Sequence, residues 1–205
     1  MLVIKLLFLF VTWGVTAITV AAVVLIGLRF VFNYLDVNPF SWLAVTLRRS
    51  TEPVLAPTRA VLIGFRLDPR VAPFIAVILV IVAGYMVVLV VGSILNTLAG
   101  IIYAGSSRQP GAPVAMIGYL LFGFLSLYTL VIFIRIIFSW VAVSSANPLM
   151  RFLSGATEPL LGPLRRTIPP VGMFDISAIV AFIILWLCKA AVAGTLLRDW
   201  PVEFF

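Results

Sequence analysis

Four long apolar runs, separated by shorter segments that are charged or rich in turn residues, dominate the hydrophobic pattern of the chain. They predict helices at about residues 6–32, 71–95, 114–143 and 176–197. An α-helix rises about 1.5 Å per residue, so each run crosses the roughly 30 Å hydrocarbon core of a bilayer. The first run exceeds the apolar region of a signal peptide, so we expect it to be retained. The pattern therefore predicts an all-α integral membrane protein with four transmembrane helices.

The two charged segments that connect paired spans each begin with Asn-Pro followed by an apolar stripe. The apolar positions recur at a spacing of three and four residues, which is typical of an amphipathic helix. Asn38 and Asn147 are the expected N-caps, with Pro39 and Pro148 at the first helical position. Each connection is therefore predicted to contain an amphipathic helix.

Both amphipathic helices run into the tripeptide Thr-Glu-Pro, at residues 51–53 and 157–159. A proline inside a helix removes one hydrogen bond and clashes with the carbonyl of the preceding turn. We therefore expect each helix to break at this tripeptide, which places Glu52 and Glu158 at the breaks.

An ordered string of polar and proline residues occurs twice, which predicts two parallel helix–linker–helix repeats. The matched positions are Arg29 with Arg135, Asn38-Pro39 with Asn147-Pro148, Thr51-Glu52-Pro53 with Thr157-Glu158-Pro159, Pro57 with Pro163, Arg59 with Arg165, and Asp68 with Asp175. The interval from Asn to Thr differs between the copies, so this alignment requires a gap. We assign residues 1–97 to the first repeat, 98–113 to a linker whose early part can also extend the second span, and 114–205 to the second repeat.

Composition agrees with a lipid environment and argues against several functions. Of the 205 residues, 63% are hydrophobic and 10% are charged, and the mean hydropathy is +1.24. The net charge of +7 is concentrated in the two connections, which the positive-inside rule places in the cytoplasm with both termini outside. The basic pairs Arg48-Arg49 and Arg165-Arg166 are expected to face anionic lipid head groups, or a docked partner, rather than nucleic acid.

The chain has no histidine and a single cysteine, Cys188. This inventory excludes zinc sites, Ser-His-Asp triads and Cys-His dyads. We therefore expect neither an enzyme nor a bound cofactor.

Two arginines are predicted to lie in or beside the membrane. A charge at the centre of a bilayer costs about 2.5–3.5 kcal/mol on insertion scales, so Arg135 either pairs with Glu158 or Asp175 or snorkels to the interface. Arg29 ends its helix, which favours snorkelling over pairing with a carboxylate of the first connection.

The carboxylates allow two interpretations. Glu52 and Glu158 either form a cation or proton site at the helix breaks, or pair with a local arginine, which the sequence favours. Asp68 and Asp175 are expected to be helix caps, and Ser177 fits the same role.

The stretch from Ile134 to Val180 resembles the signature of the YggT family, small integral membrane proteins of bacteria with relatives in plastids. The residues that carry the resemblance are Arg135, Trp140, Asn147-Pro148, Thr157-Glu158-Pro159, Pro163, Arg165-Arg166, Asp175 and Ser177. The first half matches more loosely, with Pro69-Arg70 in place of Ile-Ser. The resemblance implies an inner-membrane protein linked to osmotic or extracytoplasmic stress tolerance, and in plastid relatives to haem attachment to cytochrome and nucleoid distribution. It implies no catalytic residues.

Three functions remain in order of preference. The first is a non-enzymatic membrane factor or scaffold that docks lipids, membrane proteins or further copies of the chain. The second is an ion or solute pathway built by oligomerisation around the broken segments. The third is a cofactor or cytochrome assembly factor, which the absence of histidine disfavours.

Overall fold

The computed structural model describes residues 1–35, 41–64, 68–140, 147–167 and 176–205, and within them the chain is almost wholly helical. The helices are α1 (Leu2–Tyr34), α2 (Trp42–Gly64), α3 (Ala72–Ser106), α4 (Ala112–Trp140), α5 (Pro148–Thr167) and α6 (Ile176–Thr195), and a 3-10 turn, Pro69–Val71, precedes α3. No strand occurs among the described residues. The predicted all-α class is confirmed.

Within the described residues, four helices are long and apolar enough to cross a membrane, namely α1, α3, α4 and α6. At most 22% of the residues in any of their most apolar windows are buried inside the protein. Most of their large apolar side chains are therefore left for lipid, which is the reverse of a soluble helix bundle. The predicted number of spans is confirmed, and the chain is a multi-pass membrane protein.

The segment between the second and third spans is shorter than the predicted linker 98–113. Helix α3 continues to Ser106, and α4 begins at Ala112. Gly100 lies inside α3, and the ring of Tyr119 packs where its Cβ would lie, so this contact requires a glycine. Gly111, at φ +94°, supplies the left-handed turn that starts α4.

The predicted breaks at Thr-Glu-Pro are wrong. Helix α2 continues through Pro53 and Pro57, and α5 continues through Pro159 and Pro163. All four prolines lie on the exposed faces of their helices. There, carbonyls that lose their helical donor can bond to water or head groups, while the opposite face stays packed, so the prolines do not end the helices.

The chain divides into two compact units, a small unit of residues 9–88 and a large unit of residues 1–8 and 89–205. The core of the small unit joins α1, α2 and the start of α3. Its buried residues are Ile26, Leu55, Leu62, Ala72 and Ala76. Helix α2, which is not a spanning helix, is thus held against the ends of two that are.

The core of the large unit joins α4, α5 and α6 in the same manner. Its buried residues are Ile132, Leu161, Ala178, Ala181 and Leu185. Three of them occupy the positions that correspond to Ile26, Leu55 and Ala72 when Arg29 is aligned with Arg135. Each unit therefore packs one amphipathic helix against two spanning helices, whereas a duplication of the chain stays a prediction.

A second cluster in the large unit fastens the C-terminal segment. The side chain of Asn96 donates to the carbonyl of Val202 and accepts from the amide of Phe204, at 2.8 Å each. The hydroxyl of Tyr119 donates to the carbonyl of Pro201 at 2.7 Å. The C-terminal segment, which the sequence predicts only as an interface anchor, is thus held by specific hydrogen bonds.

Candidate functional site: two arginine–threonine–glutamate networks

The first network joins the end of α1 to the middle of α2 and consists of Arg29, Thr51, Glu52 and Arg59. Nη1 of Arg29 donates to the hydroxyl of Thr51 at 2.7 Å, and Nη2 donates to a carboxylate oxygen of Glu52 at 2.7 Å. Arg59, two turns further along α2, binds the other oxygen of Glu52 at 3.1 Å. One carboxylate is therefore shared by two guanidinium groups.

The second network joins the end of α4 to α5 and consists of Arg135, Thr157, Glu158 and Arg165. Arg135 donates to the hydroxyl of Thr157 and, at 3.1 Å, to a carboxylate oxygen of Glu158. Arg165 lies 3.9 Å from the same oxygen. The arginine and threonine are 22 residues apart in both networks, so the same constellation occurs once in each unit.

The threonines are the fixed points of the two networks. Thr51 and Thr157 lie on the buried stripes of α2 and α5, and each hydroxyl donates to the carbonyl four residues earlier at 2.7 Å, Leu47 and Leu153 respectively. This bond uses the hydroxyl proton and orients the oxygen lone pairs toward the incoming guanidinium. A threonine in a helix thus becomes an oriented acceptor for an arginine of another helix.

Burial is divided unevenly between the charges. Arg29 and Arg135 are 8% and 9% exposed, whereas the side chains of Glu52 and Glu158 are 46% and 56% exposed. A buried arginine must have its charge balanced and its N–H groups bonded, and each network supplies an anionic and a neutral acceptor together. The networks therefore allow two buried cations to lie at the ends of spanning helices.

The predicted pairing of Arg135 with Glu158 is confirmed. The expectation that Arg29 snorkels is wrong, because Arg29 is buried and paired with Glu52. The reason is the continuity of α2. Since the helix does not stop at Pro53, Thr51 and Glu52 stay packed against the last turns of α1.

Electrostatics hold Glu52 in its ionised form. The hydrogen bond from Arg29 is the main cause that lowers the pKa of Glu52 below its ordinary value of 4.5. Burial raises this pKa in part, and the charges of Arg29, Arg59 and Arg48 each lower it by a smaller amount. A carboxylate with a lowered pKa and two bonded guanidiniums is a poor general base and a poor cation ligand. Its chemistry is that of a structural ion pair.

One of the two predicted N-caps is confirmed, and the other amphipathic helix has a different residue as its cap. The side chain of Asn147 accepts from the amide of Leu149 at 2.9 Å and caps α5, which begins at Pro148 as predicted. In the small unit Ser41 caps α2 by accepting from the amide of Ala44 at 3.3 Å. Asn38 and Pro39, the predicted cap and first residue, lie outside the described residues.

The cap positions allow a second match between the two halves. Ser41 and Asn147 are as far apart in sequence as Arg29 and Arg135, so in this match α2 and α5 begin at corresponding positions without a gap. The match of Asn38 with Asn147 stays a prediction, because Asn38 lies outside the described residues.

The remaining predicted residues lie around these networks or outside the described part. Asp68 accepts from the amide of Arg70 at 2.9 Å and caps the 3-10 turn as expected, while its predicted counterpart Asp175 lies outside the described residues. Ser177 is buried at the start of α6, and Arg166 is exposed at the end of α5. In the described ranges no three His, Cys, Asp or Glu side chains come together.

One contact that supports the second network was not predicted. The hydroxyl of Tyr128 on α4 donates to the backbone carbonyl of Ala156 on α5 at 3.1 Å. A tyrosine within a spanning run is the available signal, because its hydroxyl needs a hydrogen-bond partner when it is removed from water. The sequence does not show that the partner is a backbone carbonyl of α5.

The part of the chain that matches a known protein family lies in the large unit. The CCB3/YggT family profile matches residues 114–196, which include the second network. The Escherichia coli protein named "Uncharacterized protein YggT" is 34% identical over 84 residues, which are 41% of this chain and 45% of that protein. The chain therefore spans less than half the length of this relative.

Two further relatives match over most of their lengths. An uncharacterized protein of Haemophilus influenzae is 32% identical over 151 residues, 73% of this chain and 72% of that protein. An uncharacterized protein of Pseudomonas aeruginosa is 29% identical over 178 residues, 82% of this chain and 81% of that protein. No solved structure matches the chain.

Proposed function

Because the chain belongs to the CCB3/YggT family, we propose that it is a non-enzymatic factor of the bacterial inner membrane, a scaffold that presents α2 and α5 at the cytoplasmic surface. Its ligands in this role are anionic lipid head groups and neighbouring membrane proteins, including further copies of the chain. The resemblance to YggT proteins adds a role in tolerance of osmotic or extracytoplasmic stress.

The observation that carries this proposal is the pair of networks. Each one fastens a helix that does not span the membrane to a helix that does, through a buried guanidinium. Fastening at this point fixes the rotation of α2 and α5 about their axes. A scaffold requires such fixed faces, since a freely rotating amphipathic helix offers no defined surface to a partner.

The outer faces of the two helices fit a membrane surface and a partner. Trp42 at the start of α2 is 77% exposed, and Phe152 on α5 is 66% exposed. Arg49 on α2 and Arg151 and Arg166 on α5 are also exposed. Apolar and basic residues on one amphipathic helix are typical of helices that lie in the interface of an anionic membrane.

The networks disfavour an ion pathway, and the composition disfavours a role in haem handling. A cation that entered either network would have to displace an arginine from Glu52 or Glu158, which argues against an ion pathway at these carboxylates. A role in haem handling would rest on methionines and Cys188, because the chain has no histidine. A liposome flux assay of the wild type and of Glu158→Gln distinguishes the first alternative, since a scaffold predicts background flux for both.

Cysteine labelling tests the proposed orientation. In a Cys188→Ser background, Arg49→Cys and Arg166→Cys should react with a membrane-impermeant maleimide only after the inner membrane is opened. Arg198→Cys, near the C-terminus, is the matched control and should react from the periplasmic side. Labelling of Arg49→Cys or Arg166→Cys in intact spheroplasts would overturn the cytoplasmic placement of α2 and α5.

Site-specific crosslinking in native membranes tests the scaffold itself. A photoreactive residue at position 42 or 152 should yield discrete protein adducts, whereas one at Ile78, an exposed apolar residue of α3, should yield mainly lipid adducts. Identical smears from all three positions would contradict the proposal. Growth after osmotic shock of a strain lacking the protein, with and without complementation, tests the stress role separately.

A further inference from the structure

A small void lies between the last turns of α1 and the first turns of α2. It has a volume of about 10 Å³ and is lined by Arg29, Phe32, Asn33, Ala44, Leu47 and Arg48. Such a volume holds one atom the size of a water oxygen. The void therefore has room for the tip of a polar group, not for a whole small molecule.

Arg29, which is one of the residues that line the void, has one unused hydrogen-bond donor. Its terminal nitrogens are engaged by Thr51, Glu52 and, at 3.3 Å, the backbone carbonyl of Arg48. Its Nε is buried and has no hydrogen-bond partner among the described residues. A buried N–H of a charged group that lacks an acceptor is unfavourable, so an acceptor oxygen in the void would stabilise the folded protein.

The charge around the void selects an anion over water. Arg29, Arg48 and Arg59 bring three guanidiniums to the neighbourhood of one carboxylate, Glu52. Arg48 and Asn33 are exposed at the rim, where each can donate to oxygens that remain outside the void. Among the described residues, the arrangement is thus one buried donor, two outer donors and an excess of positive charge.

We propose that this void binds one oxygen of a phosphate group, with Nε of Arg29 as the inner donor and Arg48 and Asn33 as the outer donors. The inference rests on the proposed function, because α2 at the membrane surface places the void in the plane of lipid phosphates. Phosphate has the required chemistry, since it offers several anionic oxygens that arginine side chains bind together. The source is an anionic lipid head group or soluble phosphate.

The large unit provides an internal contrast. In the alignment of Arg29 with Arg135, Arg48 corresponds to Ser154. The second network therefore has no arginine at the position of the outer donor. Arg48→Ser converts this position to its counterpart in the large unit, and Arg49→Ser removes the same charge from the next residue, which does not line the void.

The test uses the full chain in nanodiscs of phosphatidylcholine, with and without phosphatidylglycerol, and reads bound lipid by native mass spectrometry and the thermal unfolding midpoint. Arg48→Ser should weaken phosphatidylglycerol binding about tenfold, the effect of losing one charge-assisted hydrogen bond. Arg49→Ser should weaken it about twofold or less, as for an exposed charge.

Inorganic phosphate added to phosphatidylcholine nanodiscs distinguishes the two sources of the phosphate group. If it raises the thermal unfolding midpoint of the wild type and not that of Arg48→Ser, soluble phosphate is the ligand.

Two results would overturn the site. Equal losses for Arg48→Ser and Arg49→Ser would show that lipid is attracted by charge alone, and would leave the proposed scaffold function intact. The site would also be contradicted if the wild type bound no phosphatidylglycerol and its unfolding midpoint did not change with inorganic phosphate. The labelling and crosslinking experiments test the scaffold function independently of this site.

Discussion

The two networks use the same residue types but hold their glutamates with different strength. In the first network the two arginines lie 2.7 and 3.1 Å from Glu52. In the second network the corresponding distances from Glu158 are 3.1 and 3.9 Å. The first carboxylate is therefore bound firmly by two guanidiniums, whereas the second is bound mainly by the arginine of the spanning helix.

The packing of the two amphipathic helices differs in the opposite direction, because the helix with the longer ion-pair distances is packed more closely. Helix α5 packs closely against both α4 and α6, and Tyr128 bonds its backbone. Among the described elements, α2 has its close backbone contacts with the 3-10 turn Pro69–Val71. In these two units the rule is that the more closely packed amphipathic helix has the looser ion pair, and the more sparsely packed one has the tighter ion pair.

Removal of the glutamates should produce the largest effect and the clearest difference. Glu52→Ala leaves Arg29 buried without its counter-ion, and we expect a loss of about 2–4 kcal/mol in the free energy of unfolding, below the usual range for buried pairs because the carboxylate is half exposed. Glu158→Ala should cost about 1–2 kcal/mol. Unfolding by SDS titration in mixed lipid micelles measures both, and equal losses would contradict the rule.

Removal of the threonine hydroxyls should affect both networks alike. Thr51→Val and Thr157→Val retain the shape but leave the buried arginine without its neutral acceptor, which should cost about 1–3 kcal/mol each. The two values should agree within about 0.5 kcal/mol, because both hydroxyls make the same two bonds. Thr→Ser at each position is the control and should recover most of the loss. If the losses for Thr51→Val and Thr157→Val differed by more than the losses for Glu52→Ala and Glu158→Ala, the two networks would differ mainly at the threonine.

The sequence predicts the spanning helices well because their signal is local. A run of apolar residues long enough to cross a bilayer does not depend on the packing of the rest of the chain. The pairing of Arg135 with Glu158 was also predictable, since a charge within a span needs a partner and few carboxylates are present.

The features that the sequence did not predict depend on tertiary structure. Whether Pro53 breaks α2 depends on which face of the helix is buried. All four prolines of α2 and α5 lie on the exposed faces. The pairing of Arg29 followed from that continuity, because an unbroken α2 keeps Glu52 within its reach. Ser41 was missed as a cap because Asn38-Pro39 carries the stronger local signal.

Acid should reduce the stabilising effect of Glu52. Because Arg29 lowers the pKa of Glu52 in the folded protein, its contribution to stability is complete above the pKa of the unfolded chain and disappears as the pH falls below 4.5 through the lower, folded pKa. The unfolding midpoint of the wild type should therefore approach that of Glu52→Gln as the pH is lowered. Thermal unfolding of both proteins between neutral and acidic pH measures this difference, and a constant difference would contradict it.

The outer arginines should give the smallest effects, and they test the distance comparison most directly. Both are partly exposed, so each pair with glutamate is worth at most about 1 kcal/mol. Double-mutant cycles isolate the pair from other contacts of either side chain. The coupling of Arg59 with Glu52, 3.1 Å apart, should be measurable and should decrease with added salt, whereas that of Arg165 with Glu158, 3.9 Å apart, should be near zero at every salt concentration. A stronger coupling in the second pair would mean that the half-exposed carboxylates redistribute between their arginines in the membrane. In that case the difference between the networks would lie in packing alone.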